Sequence, residues 1–232
     1  QGGRRGSRWR IDRIELDLQT ASCTGKDEAS TAIAGRLEHA SVRHRGRRAG
    51  VDDKVRLPLD PMIGVIGRGP ERQERALRLP RQHGGNLDCK LMVKGNTAYF
   101  PVRVEGGLVQ MGDMHAVMGD SELCGTGLEI NGTVIARVSV IKNCPLEWPV
   151  LETADTWYTM ASAAGYEEAL RHASVQMQGL VAAATGWDAT DAYLYMSLRG
   201  DLEICQACKP CEVDLIVRLG VPKADMKRPL VG

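Results

Sequence analysis

Between His83 and Glu129 the chain gathers histidines and carboxylates among glycines: His83, Asp88, Asp113, His115, Asp120, Glu122 and Glu129, with Asn86 beside them. Imidazole and carboxylate together are a donor set for Zn²⁺ and similar divalent ions. Glycine tolerates positive φ and close backbone approach, so it recurs where a chain turns tightly around a site. A cation held there would polarise a carbonyl and acidify water, which makes the stretch a candidate metal-dependent hydrolytic site on strand ends and loops. Taken singly, an Asp after Gly is most often a turn residue, and a lone His is usually structural. The clustering sets these residues apart.

The elements that must position them are mostly strands. Met62 to Ile66 is an apolar run between prolines and glycines and reads as a buried strand. Residues 68–82 form a polar, arginine-rich loop, either an active-site flap or plain surface. Thr97 to Val104 and Gly107 to Met111 read as strands, the first with Pro101 marking an edge or bulge. Asn131-Gly132 signals a hairpin turn, and the run after it alternates cleanly through Val134, Ala136, Val138 and Val140. If GDMH lies on a strand, Asp113 and His115 point to the same face.

Outside this region, Ile14, Leu16 and Leu18 suit a half-buried strand, whereas residues 20–50 show no sustained period. After Cys144-Pro145 the character changes: WPVLETADTWYTM reads as a short strand and a turn, and Gly165 to Thr185 then reads as a helix. Tyr166, Leu170, Ala173, Met177, Leu180, Val181 and Ala184 keep a 3.6-residue period up to Gly186. Asp188 can cap a second helix over Ala189 to Leu198. Asp201 to Cys205 and Val213 to Leu219 follow as strands, and the tail KADMKRPLVG reads as loose. The fold class expected is α+β and β-rich, in three parts. Residues 1–50 are an atypical segment, 51–147 carry the site, and 148–232 form a smaller α+β unit.

Lys and Arg number 30 against 29 Asp and Glu, a net charge of +1. Overall charge therefore points to neither nucleic acid nor an anionic membrane. Arginines at 4, 5, 8, 10, 43, 45, 47 and 48 read as a solvated tail, with a nucleic-acid arm as the alternative. No apolar run reaches the length of a membrane-spanning helix, and no secretory signal follows the N-terminal charges. The seven cysteines read as reduced thiols in a cytoplasmic protein. Cys205, Cys208 and Cys211 lack a fourth ligand at conventional spacing for a metal cluster. Cys124 could act as a nucleophile but reads better as a small packing residue.

Several motifs together resemble the acetamidase/formamidase family. They are PMIGVIG (61–67), HGGNLD (83–88), YFPVRVEGGL (99–108), GDMHAVMGDSELCGTGLE (112–129) and GDLEICQ…VRLGVPK (200–223). The likeness runs over about residues 55–224 and departs at residues 1–50 and at Arg68, where family members carry a small apolar loop. It implies hydrolysis of small linear amides such as formamide and acetamide, with lactams or imides within reach. It also implies a jelly-roll-like β-sandwich, a bound divalent metal and a homo-oligomer. In that light Asp88, Asp113, His115 and Glu129 are the candidate ligands for Zn²⁺, with Ca²⁺ as a possible second ion. His83 is a further ligand or a proton donor. Glu122 is the candidate general base, with Asp120 as runner-up, and Asn86 is the candidate oxyanion donor. The competing reading is a catalytically inactive sandwich that serves as a binding or structural subunit.

Overall fold

The computed structural model describes residues 13–19, 48–51, 55–69, 79–103, 107–208 and 211–231. Its strands are β1 (Arg13–Gln19), β2 (Arg48–Val51), β3 (Val55–Pro58), β4 (Met62–Arg68), β5 (Gly84–Asn86), β6 (Thr97–Tyr99), β7 (Val109–His115), β8 (Thr133–Ser139), β9 (Val150–Glu152), β10 (Thr156–Ala163), β11 (Asp201–Gln206) and β12 (Leu215–Pro222). Helices α1 (Tyr166–Thr185) and α2 (Ala189–Arg199) lie between β10 and β11, and a 3₁₀ turn covers Lys223–Asp225. Among the described residues the α+β, β-rich expectation therefore holds, with antiparallel sheets and two helices.

Seven strands form one sheet in the order β11-β12-β10-β9-β6-β1-β8, antiparallel at every pairing. It draws β1, β6 and β8 from before residue 147 and β9 to β12 from after it. A three-stranded antiparallel sheet, β5-β4-β7, is separate from it, as is the β2-β3 pair.

At β10 and β12 the large sheet is buried on both faces, and the period of two along these strands decides which core each side chain joins. On β10, Trp157, Ala161 and Ala163 enter one cluster with Ala169, Ala173, Met177 and Val181 of α1. Thr159 turns the same way and donates to the Ala173 carbonyl at 2.9 Å. Met160, between them, enters the other cluster with Ile63 and Ile66 of β4. β12 repeats the split, with Val217, Leu219 and Val221 toward the helices and Ile216 toward the small sheet. The result is three layers: helices, large sheet, small sheet.

α1 buries the stripe Ala169, Ala173, Met177, Val181 and Ala184, each four residues on until the last step of three. Glu167 and Glu168 sit in its first turn, where they meet the positive end of the helix dipole. Gly186 closes it at φ 79°, donating its N–H to the Ala182 carbonyl. Asp188 caps α2 as expected, accepting from the Asp191 amide at 2.9 Å.

Several local expectations need correction. The strand expected over 97–104 ends at Tyr99, two residues before Pro101, which has no N–H to give a ladder. The strand expected at 107–111 instead runs Val109–His115 and so carries the GDMH residues. Asn131-Gly132 makes no tight hairpin, because neither residue takes positive φ. The strand after it pairs over its whole length with β1, more than 110 residues earlier in the chain. The C-terminal tail is not loose, since Leu230 and Val231 are buried in the helix-side core and Lys223 Nζ binds Glu152 at 2.7 Å. Cys208 and Cys211 are joined as a disulfide, so the reading of all cysteines as free thiols fails there. Most of the unpatterned stretch at 20–50 and of the loop at 68–82 lies outside the described residues. Among the described residues no helix is long and apolar enough to cross a membrane.

Candidate metal centre

The site is built over β4, the central strand of the small sheet. Gly64 has no side chain where one would collide. A Cβ there would lie 2.6 Å from Asp88 Oδ1 and 2.9 Å from Asp113 Oδ2. The two carboxylates thus close over the strand from opposite neighbours, Asp88 from the turn after β5 and Asp113 from β7. Asp88 and Leu87 each donate a backbone N–H to the Gly64 carbonyl at 3.0 Å, which fixes that turn.

Three of the carboxylate residues sit in the left-handed backbone region: Asp88 at φ 40°, Asp113 at φ 57° and Glu122 at φ 41°. Ser121, beside the last, is at φ 76°. Such positions cost non-glycine residues roughly 1–3 kcal/mol each and tend to cluster at functional sites. The loop bearing Glu122 is tied to the large sheet, with the Ser121 amide donating to the Cys205 carbonyl at 2.9 Å and the Ala207 amide to the Ser121 carbonyl at 3.1 Å.

Two groups of three potential ligand residues result, Asp88–His115–Glu122 and Asp113–His115–Glu129, and they share the histidine. His115 is 1% exposed, and its Nε2 lies 3.1 Å from Glu129 Oε1 and 3.6 Å from Asp113 Oδ1. Thr126 Oγ1 donates to Glu129 Oε1 at 3.0 Å. Gly127 makes room for the imidazole, since a Cβ there would lie 2.7 Å from Nδ1. Deeper in, Asp88 Oδ2 accepts from Asn86 Nδ2 and, at 2.9 Å, from Gln206 Nε2. The same Gln206 nitrogen donates to Glu122 Oε2 at 2.7 Å.

The electrostatics describe a place that wants positive charge. Burial lifts the Asp88 carboxyl to about 7, helped by the neighbouring Glu122 and Asp113 charges and opposed by His115 and the Gln206 bond. Burial works against an imidazolium at His115. Hydrogen bonds and charge attraction from Asp113 and Glu129 outweigh it and raise the ring to about 10. Asp113 is held below the usual carboxylate range, chiefly by its bond to His115. Asp88 Oδ1 and His115 Nδ1 are buried without a hydrogen-bond partner among the described residues. Oxygen and imidazole nitrogen donors, crowded negative charge and unpartnered buried ligand atoms all fit a divalent cation.

Asp88, Asp113, His115, Glu122 and Glu129 therefore come together, and Asn86 touches the group through Asp88. His83 and Asp120 belong to neither group. His83 is buried at the start of β5, where its carbonyl accepts from the Arg68 amide at 2.9 Å. Asp120 is gripped by the buried Arg218, through bonds of 2.8 and 2.7 Å, and by Lys90 Nζ at 2.6 Å. Arg218 also holds Glu203. Arg68, which departs from the family pattern, is buried at 3% exposure and donates to the carbonyls of Pro101 and Gly69.

Sequence reasoning passed over Gln206, Gly64 and Arg218. Gln206 was legible only as a polar residue closing an alternating strand, and Gly64 only as one glycine among several.

The acetamidase/formamidase family model matches residues 71–200. A formamidase of Methylophilus methylotrophus is 46% identical over 66 residues, which cover 28% of this chain and 16% of that protein. An acetamidase of Mycolicibacterium smegmatis is 40% identical over 65 residues, 27% of this chain and 16% of that protein. The matched stretches thus span less than a fifth of either relative. The crystal structure of an acetamidase from Bacillus halodurans superposes with a TM-score of 0.82 at 34% identity, covering 97% of this chain and 76% of that one.

Proposed function

This chain belongs to the acetamidase/formamidase family, and from that premise we propose that it hydrolyses the carbon–nitrogen bond of small linear amides, formamide and acetamide among them, to a carboxylate and ammonia. The observation that carries the reading is the pair of ligand groups sharing His115, with Asp88 Oδ1 and His115 Nδ1 buried and unpartnered among the described residues.

Asp88, Asp113, His115 and Glu129 would hold the ion, Zn²⁺ by donor chemistry, with Glu122 at its edge and Ca²⁺ as the candidate for a second, carboxylate-rich position. A divalent ion there supplies Lewis-acid polarisation of an amide carbonyl and acidifies water. The chain's own residues do the rest. Glu122 takes a proton from the attacking water and hands it to the leaving nitrogen. Asn86 holds Asp88 through one N–H and offers the other to the oxygen that gains charge. His83 serves as an additional proton donor, and Asp120 keeps Arg218 in place rather than acting as the base.

The same proposal covers a jelly-roll type for the β-sandwich of residues 51–147, a smaller unit over 148–232, and self-association into a homo-oligomer. Limited proteolysis and sedimentation test these. Activity is tested by elemental analysis of the purified protein and by ammonia release from formamide and acetamide before and after chelation. Stoichiometric divalent metal with chelator-sensitive ammonia release is expected. A folded, metal-loaded protein that turns over no small amide would sink the proposal. Asp113→Ala should lose both metal and turnover.

A further inference from the structure

Gln206 is fully buried at the end of β11, and three hydrogen bonds hold its side-chain amide. The single nitrogen Nε2 donates to Asp88 Oδ2 at 2.9 Å and to Glu122 Oε2 at 2.7 Å. The oxygen Oε1 accepts from the Cys208 amide at 2.8 Å. This last bond fixes which end of the amide is which. A backbone N–H can only donate, so a flipped side chain would set N–H against N–H and turn its oxygen toward two carboxylates. The backbone of Gln206 also forms a bridge with Ser121, next to Glu122. Asp88 and Glu122 come from separate loops 34 residues apart, and Gln206 is the one described residue that hydrogen-bonds both side chains.

The choice of an amide is chemically pointed. A lysine or arginine here would also hold two carboxylates, but its charge would satisfy them and leave less for an incoming cation. A glutamine donates twice and brings no charge. It occupies Oδ2 of Asp88 and leaves Oδ1, the oxygen over Gly64, without a partner among the described residues. Side chains that orient the ligands of a metal in this way commonly change metal affinity 10–100-fold when removed.

Resting on the metal-site reading above, we propose that Gln206 is a positioning residue: a neutral double-donor clamp that sets the orientation of Asp88 for metal binding and of Glu122 for proton transfer. It touches neither ion nor substrate and acts through the two carboxylates.

The test uses the full chain and Zn²⁺ alone as the probe, titrated in competition with a chromogenic chelator. Gln206→Met keeps the side chain's length and removes both donors. Gln206→Asn keeps an amide but is one methylene too short to span both carboxylates. The Zn²⁺ Kd is expected to rise about 10–100-fold in Gln206→Met and at least about 5-fold in Gln206→Asn. At saturating Zn²⁺, kcat for acetamide should fall further than KM changes, because Glu122 is no longer aimed. A residue that merely supported the fold would lower the metal-free melting temperature and leave the Zn²⁺ Kd of the folded protein alone. If either folded variant binds Zn²⁺ within twofold of the parent, the clamp is refuted. Should Gln206→Met fail to fold, Gln206→Asn decides by the same criterion. A parent protein that binds Zn²⁺ and releases ammonia beside unchanged variants overturns the clamp alone. A parent that does neither overturns the amidase reading together with it.

Discussion

Replacing Asp88 by Asn is expected to make the metal-free protein more stable at pH 8 while destroying its affinity for metal. In the fold this carboxyl titrates at about 7 against 3.8 for the unperturbed group, the main cause being burial. The folded state therefore binds the proton more tightly than the unfolded chain. Below pH 3.8 both states are protonated and the group is neutral toward stability. Above about 7 both are ionised, and the fold carries the full penalty of a buried charge. The shift of about 3 pKa units corresponds to a ceiling of about 4 kcal/mol, at 1.36 kcal/mol per unit. Relaxation around the charge reduces this, so about 2–4 kcal/mol is expected. An asparagine keeps an oxygen for Asn86 and Gln206. It also presents an NH₂ where Oδ1 now lies near Asp113 Oδ2, since both oxygens crowd the same point over Gly64. For a chain of this size the gain corresponds to a melting temperature higher by roughly 5–15 °C. Thermal unfolding in excess chelator, recorded from pH 4 to pH 8.5, would show it. The gap between variant and parent should be small at pH 4, widen steadily to about pH 7, and stay nearly constant from there to pH 8.5. A variant no more stable than the parent at pH 8, or a gap that does not change with pH, would refute the reasoning.

Three more outcomes follow from the geometry. Gly64→Ala puts a methyl 2.6 Å from Asp88 Oδ1 and should weaken Zn²⁺ binding at least about tenfold without altering any ligand, as chelator competition would read. Arg218→Met should cost about 3 kcal/mol in urea unfolding. It removes the bidentate bond from Asp120, which keeps Lys90, and the ion pair from Glu203; both carboxylates are only partly buried, so the loss belongs at the low end for a broken buried pair. Asp188→Ala should cost about 1 kcal/mol by the same assay, because the Asp191 amide loses its cap, and ammonia release should be untouched.

What could be read in the chain and what could not divide along physical lines. α1 and α2 were legible nearly to the residue, because a buried stripe, an Asp cap and a closing glycine all act within one or two turns. The β11 and β12 pair was equally local. The partner of β8 was not legible. Asn131-Gly132 is a strong turn signal, but the backbone there never takes positive φ, and β8 reaches instead for β1. Pairing at that separation leaves no mark in a short window. At the site, residue types and motif spacing picked out Asp88, Asp113, His115, Glu122 and Glu129, which the fold does gather. Asp120 looked equivalent by composition, and only three dimensions show it bound to Arg218 and Lys90. Gln206 stayed invisible because nothing about one glutamine on a strand reveals that two carboxylates from other loops will meet it.

The large sheet also sets a timetable. Asp88 and Gln206 are 118 residues apart, so a ribosome adding about 5–20 residues per second needs roughly 6–25 s to pass from one to the other. For that interval the nascent chain displays Asp88, and then the histidine and carboxylates that follow, with their last neighbour not yet made. β10 waits for β12 in the same way, and β1 waits for β8. Contacts of such long reach form late and slowly. The expected order is therefore assembly first and metal loading second, and a cell that supplies the ion too early would offer it to a half-built cradle of competing carboxylates.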